Sequence, residues 1–296
     1  MPEVGEQLLA RIEEVTGCPA LLIRPLSGSI LNVVHLVRCG ERELVAKMGA
    51  AEGIRREAAV LTMLRPTGVP VPHAALLPAD PSFPSDLLLV DVLPGHAAEP
   101  DSEVLADAGR SLRRLHDIRL PGFGPVADGP AGTSATWAGF LDGVVAEARR
   151  AVPEHVLPAA LHDEVDAQSR HRRVRAHVAG VDHGVLLHGD LVPKHVWDDH
   201  GRLAGLIDWG DAMVGDPLFD LARFSMSGED AFRRCLDGYR TASPQDPYVL
   251  AFYRMVWSLM ALIVECGAGG DWVDGYLSTV RDELHRLRTA DEGGQP

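Results

Sequence analysis

The chain has 296 residues, 46% of them hydrophobic, which is enough for two separate cores and excludes a disordered segment. Lys and Arg number 28 against 42 Asp and Glu, a formal charge of −14 that disfavours a nucleic-acid or anionic-membrane partner and favours a cationic small molecule, with plain solubility the simpler explanation of the charge. The four cysteines, Cys18, Cys39, Cys235 and Cys266, show no CxxC or metal spacing and read as free thiols of a reducing compartment.

The leading segment MPEVGEQLLARIEEV is acidic and helix-periodic and lacks the basic region and apolar core of a signal peptide, so a cytoplasmic location is expected. Residues 21–37 and 43–48 alternate or run apolar with β-branched side chains and predict the first three strands. Residues 53–64 have helical spacing, and 86–93 form a short apolar strand closing on Pro94-Gly95. From Glu103 the pattern is helical almost to the end, apart from one hairpin. The apolar run 249–266 is interrupted by Arg254, Ser258 and Glu265, and predicts a buried helix rather than a membrane span. The last six residues read as a frayed tail.

Chemistry concentrates in residues 188–221, HGDLVPKHVWDDHGRLAGLIDWGDAMVGDPLFDL. Asp190 stands five residues before His195, and Asp208 follows the next hairpin. This is the layout in which one carboxylate orients a hydroxyl nucleophile while two further groups ligate the divalent cation on a triphosphate. Two apolar strands, 195–197 and 203–207, joined by the turn Asp198-Asp199-His200-Gly201, would hold both ligands on one rigid element. His188 alone reads as a packed histidine. The segment Gly215-Asp216-Pro217 with Asp220 reads as a turn and helix cap, Asp216 before Pro217 being the N-cap, with support of the catalytic loop as a second role.

The stretch HGDLVPKH, followed by GLIDWGDAMVGDP and DLARF, resembles the aminoglycoside phosphotransferase family, antibiotic kinases with a protein-kinase-like fold. Family members usually carry asparagine where this chain has His195; macrolide kinases and 2''-aminoglycoside kinases resemble it in having histidine there. Residues 122–143, GFGPVADGPAGTSATWAGFLDG, are similar to a segment of hygromycin B phosphotransferases, although GFG with a Trp-initiated helix also occurs in relatives of unknown substrate.

The resemblance implies an α+β, bilobal kinase-like fold. A nucleotide-binding lobe, residues 1–93, would hold a five-stranded sheet and one main helix; a larger, mostly helical lobe, 94–296, would carry catalysis and the acceptor. Lys47 would pair the α- and β-phosphates and Glu57 would hold it, though either alone is an ordinary surface charge and the adjacent Arg55 and Arg56 compete for a phosphate role. The turn Ser27-Gly28-Ser29 would lay backbone amides over the phosphates; it lacks the G-x-G-x-x-G pattern, and an ordinary hairpin turn is as good a reading. Backbone groups of Asp91 and Leu93 would bond the purine at a hinge, leaving ATP or GTP open. Mg²⁺ would sit on Asp208 and His195, whose imidazole better suits softer ions such as Mn²⁺; alternatively His195 is a packed residue and one metal suffices.

The expected reaction is γ-phosphoryl transfer to a hydroxyl of an aminoglycoside-type antibiotic, conferring resistance, with a monomer or homodimer as the assembly. Alternatives are a macrolide, choline-like or sugar-like acceptor, or a nucleotide-binding pseudokinase that regulates a partner. Glu265, Asp271, Trp272 and Asp274 combine acids, an aromatic and a flexible turn suited to ammonium groups, with Asp271 equally readable as the N-cap of the final helix.

Overall fold

The computed structural model describes residues 2–26, 30–127, 129–240 and 246–292. In chain order the first elements are α1 (Pro2–Thr16), β1 (Ala20–Leu26), β2 (Asn32–Cys39), β3 (Arg42–Gly49), α2 (Ala51–Leu64), β4 (Ala74–Leu77) and β5 (Leu87–Asp91). The five strands, the number the resemblance implies, form one antiparallel sheet in the order β1-β2-β3-β5-β4. Strand alternation sorts its two faces. Ala46 and Met48 of β3, with Leu87 and Leu89 of β5, pack with Leu8 and Ile12 of α1. Leu88 packs with Ile54 and Ala58 of α2, and Lys47, facing Leu88 in the ladder, lies on that same side. A lysine in a strand and a glutamate on the buried stripe of a helix are thereby forced together.

The chain then runs through β6 (His96–Ala97), α3 (Val104–Leu115), β7 (Arg119–Leu120), β8 (Phe123–Val126), β9 (Gly132–Ser134), α4 (Trp137–Ala151), α5 (Ala159–Ser169), α6 (Arg172–Ala179), β10 (Gly184–Leu187), β11 (Val196–Asp199), β12 (Arg202–Leu206), β13 (Met213–Gly215), α7 (Pro217–Ser225), α8 (Glu229–Tyr239), α9 (Pro247–Ala268) and α10 (Val273–Glu292). The expectation of helix throughout this part needs correction. A second antiparallel sheet, β7-β10-β13-β8-β9, crosses it. Its strands are two to four residues long, too short to impose a period on the sequence.

The predicted hairpin is β11–β12, tightened to a two-residue turn in which His200 and Gly201 both have positive φ, 54° and 81°. β6 adds to it as a third strand, so the segment after the hinge is stitched to the catalytic hairpin. Gly95 permits this: with φ at 91°, a Cβ there would lie 2.0 Å from the Asp198 carbonyl oxygen. α9 is long and apolar enough to cross a membrane, yet Tyr253, Val256 and Leu259 are buried in the core, as expected of the run 249–266.

Candidate active site

β10 is a four-residue run, Gly-Val-Leu-Leu, buried along its whole length, and it delivers His188, Gly189 and Asp190 to the open end of the second sheet. Gly189 has φ 84°, and a Cβ would meet the Asp211 carbonyl oxygen at 2.0 Å. Only glycine allows the catalytic loop to lie against the 209–211 turn. His188 is fully buried, donates Nε2–H to the Ile207 carbonyl at 3.0 Å and accepts the Asp190 N–H on Nδ1 at 3.3 Å, which makes it the packed histidine the sequence suggested.

His195 ends a short 3-10 turn, Pro193–His195. Its Nδ1 lies 2.8 Å from the Asp190 carbonyl oxygen; a carbonyl can only accept, so the proton sits on Nδ1 and the Nε2 lone pair is left facing Asp208 Oδ2 at 3.4 Å. Burial holds the His195 pKa below its usual value, against the pull of Asp190 and Asp208, which favours the neutral ring.

Asp208 follows β12 in the left-handed region, φ 67° and ψ 64°, a conformation aspartate tolerates better than most residues. Lys47 Nζ donates to Glu57 Oε2 at 2.6 Å and to Asp208 Oδ1 at 2.7 Å, so one ammonium links β3, α2 and the loop after β12. Burial disfavours charge on this lysine, but the two carboxylates outweigh it and raise its pKa. Asp208, opposed by its own burial, is pulled down to about 2, chiefly by Lys47. Glu57 is raised, burial exceeding the lowering by Lys47.

His195 therefore lies between Asp190, which meets its Nδ1, and Asp208, which faces its Nε2, with Lys47 on the other oxygen of Asp208. The Asp208 carboxylate suits a hard divalent cation such as Mg²⁺, the His195 lone pair suits softer ions such as Mn²⁺ better, and the remaining positions would fall to phosphate oxygens and water. Among the described residues no cluster of three His, Cys, Asp or Glu offers a self-sufficient metal cage. Asp211 adds a third carboxylate nearby, pushed up to about 6 by burial and by the charges of Asp190 and Asp208.

Ser27, Gly28 and Ser29 lie outside the described residues. The Asp91 N–H bonds the His73 carbonyl at 2.8 Å and the Asp91 side chain pairs with Arg42, while the Leu93 carbonyl accepts the Trp197 indole N–H at 3.1 Å. Arg55 bonds Asp86 and Arg56 bonds the carbonyls of Val126 and Gly210, so Arg56 ties α2 to the turn after Asp208. Asp216 caps α7 through the Leu218 N–H at 3.0 Å, as predicted. Its other oxygen takes the Tyr253 hydroxyl and His177, and within the segment it is Asp220 that supports the catalytic loop, accepting the N–H groups of His188 and Gly189, each at 2.8 Å. Behind Asp220 stand His116 and the Tyr239 hydroxyl, a brace built from a histidine to which the sequence assigned nothing.

Of the acceptor candidates, Asp271 is not the N-cap: α10 begins at Val273, and the Trp272 carbonyl accepts the first helical bond from Tyr276 at 3.1 Å. Glu265 holds this corner, accepting the Trp272 N–H at 3.1 Å, and the Trp272 side chain is exposed. Asp274 lies in the first turn of α10. Sequence reasoning missed Tyr276, whose ring sits 5.8 Å from Trp257 and whose hydroxyl, raised mainly by burial, also feels Arg223 and Asp190. It missed Arg223 as well, although Asp220 and Arg223, three apart on α7, lie on one helix face and address successive residues of the loop.

The model of the phosphotransferase enzyme family matches residues 22–253. The fold is similar to a thermostable mutant of aminoglycoside phosphotransferase APH(4)-Ia in ternary complex with ADP and hygromycin B, with TM-score 0.72, 18% identity, and coverage of 97% of this chain and 99% of that one. It is similar to macrolide 2'-phosphotransferase MphH from Brachybacterium faecium, with TM-score 0.61, 20% identity and coverage of 92% and 97%. It is also similar to the GDP complex of an aminoglycoside 2'-phosphotransferase-IIIa mutant, with TM-score 0.68, 15% identity and 98% coverage of both chains. A stretch of 59 residues is 42% identical to the uncharacterized protein YcbJ of Bacillus subtilis (strain 168), and the chain spans 19% of that relative's length.

Proposed function

The chain belongs to the phosphotransferase enzyme family, and we propose that it transfers the γ-phosphoryl group of ATP or GTP to a hydroxyl of a small cationic antibiotic of the aminoglycoside type, inactivating it. The observation that carries this reading is the Lys47 ammonium bridging Glu57 and Asp208, with His195 against the same Asp208 carboxylate and Asp190 against the other side of the His195 ring. Lys47 holds the α- and β-phosphates. Asp208 and His195 hold Mg²⁺, which when bound neutralises charge on the phosphate oxygens. Asp190 orients the acceptor hydroxyl and takes its proton as the oxygen attacks phosphorus in line. At the hinge the Asp91 N–H is already bonded within the sheet, so donation to the purine falls to Leu93. Residues 1–93 form the nucleotide lobe and 94–296 the catalytic lobe, and the reaction runs in the reducing, nucleotide-rich cytoplasm.

A second reading, a macrolide or another largely apolar acceptor, draws on the rim of the site. The Glu265 carboxylate is engaged by Trp272, and Trp272, Ile30 and Leu31 present exposed apolar surface, with Ile30 close against Gly270. A pseudokinase is disfavoured by the complete set Lys47, Asp190 and Asp208. The test is a nucleotide-consumption screen with ATP and GTP against aminoglycosides, macrolides, choline and sugars, with mass spectrometry of each product. A phosphorylated aminoglycoside supports the first reading and a phosphorylated macrolide the second. Consumption of neither nucleotide with any acceptor removes both.

A further inference from the structure

Asp190 has two carboxylate oxygens with different surroundings. Oδ1 accepts from Arg223 Nε at 2.7 Å, whereas Oδ2 lies 3.8 Å from the His195 ring nitrogen. The Arg223 guanidinium is itself fixed, its central carbon 3.8 Å from the centroid of the Trp257 ring. The same indole donates Nε1–H to the Gly189 carbonyl at 2.8 Å. One side chain of α9 thus fixes both the backbone just before the aspartate and the cation that grips its carboxylate. Side-chain exposure is 12% for Arg223 and 17% for Asp190, so little water competes for the contact. An aspartate carboxylate otherwise turns in a broad torsional well, and a base that wanders loses the line to its hydroxyl.

We propose that Arg223, stacked on Trp257, is the positioning residue that orients the Asp190 carboxylate so that Oδ2 receives the acceptor proton. The assignment rests on the phosphotransfer reading above. In the step it serves, the hydroxyl oxygen forms a bond to the γ-phosphorus, the bond to the β–γ bridging oxygen breaks, and the hydroxyl proton passes to Oδ2. The nucleoside diphosphate leaves with the bridging oxygen. Arg223 acts through Asp190 and not on the reacting atoms. A lysine could supply the charge but not a flat group that both covers an indole and donates along its Nε–H.

The test uses the full chain with Mg²⁺ and ATP or GTP, and reads slow phosphoryl transfer to water as phosphate release, so that no acceptor need be known. Arg223→Ala is expected to lower kcat about 10²-fold with the nucleotide KM within about twofold. Added guanidinium ion should restore at least about tenfold of the loss, where ammonium ion at equal concentration does not. Arg223→Lys should fall between the two, and it serves if the alanine variant fails to fold. Turnover unchanged in either folded variant, or a loss that appears only in nucleotide KM and is not rescued by guanidinium, overturns the assignment. Absence of phosphate release from the wild-type chain, with no transfer in the acceptor screen, strikes instead at the phosphotransfer reading.

Discussion

Asp190 and Asp208 stand on the same loop system yet face opposite demands, and their neighbours separate them. Asp208 is tied to Lys47 and held down to about 2, which keeps it ionised near neutral pH and suits the proposed role of cation ligand. Asp190 keeps one oxygen clear of Arg223, as the proposed base must. Replacing Asp190 with alanine should lower kcat roughly 10²–10⁴-fold with nucleotide affinity nearly unchanged, checked by steady-state kinetics beside a nucleotide-binding titration. His195→Asn should keep Mg²⁺-supported turnover and reduce the preference for Mn²⁺, because an amide oxygen replaces a softer imidazole nitrogen; activity ratios in the two ions decide it. These three residues were legible in the sequence because their spacing is set along a single loop and hairpin. Arg223 was not, since its partner lies 33 positions away and only the docking of α7 onto the loop brings them together.

α7 does more at the scale of an element than its nine residues suggest. Its cap, Asp216, binds His177 and Tyr253; its first turn supplies Asp220 to the catalytic loop, and its last supplies Arg223. Asp220→Ala would orphan two buried N–H groups and His116, at a cost of about 3–5 kcal/mol read from denaturant midpoints, and Asp220→Asn should cost less because one acceptor oxygen remains. The His177 pKa is raised, mainly by its hydrogen bond to Asp216, so its contribution to stability is complete below the unfolded-state pKa and is lost as pH rises through the folded value. The melting-temperature gap between wild type and His177→Gln should accordingly be widest near pH ~6 and narrow as the pH rises above that. The cap was readable from Asp-Pro alone. That Asp220, and not Asp216, holds the catalytic loop was not, because its partners His188 and Gly189 lie 32 and 31 positions away and no local signal contains them.

Across the whole molecule the acidic balance, −14, bears on what the cleft attracts. Glu265 serves as a local cap and also as a charge, and Glu265→Gln separates the two by keeping an oxygen for the Trp272 N–H. If the acceptor is a polycation, Glu265→Gln combined with Asp274→Asn should raise its KM more than tenfold at low salt and less at high salt, since charges in a wet cleft are screened. An unchanged KM at both ionic strengths would favour the apolar acceptor suggested by Trp272 and Ile30.

The sequence alone determined the first three strands, the strand closing on Pro94-Gly95, the hairpin and the spacing of Asp190, His195 and Asp208, because each is written in short-range pattern: alternation, turn residues and fixed loop spacing. The fifth strand and the pairing of Lys47 with Glu57 were legible only through the family resemblance. Tertiary structure alone decided the second sheet, whose strands are shorter than any period, and the Asp220, His116 and Tyr239 brace. It also decided that the Lys47 ammonium would reach Asp208, 161 residues away, a contact made when α2 and the loop after β12 close on opposite sides of one buried charge. Burial and long-range pairing depend on which surfaces dock, and no local stretch of chain contains both partners.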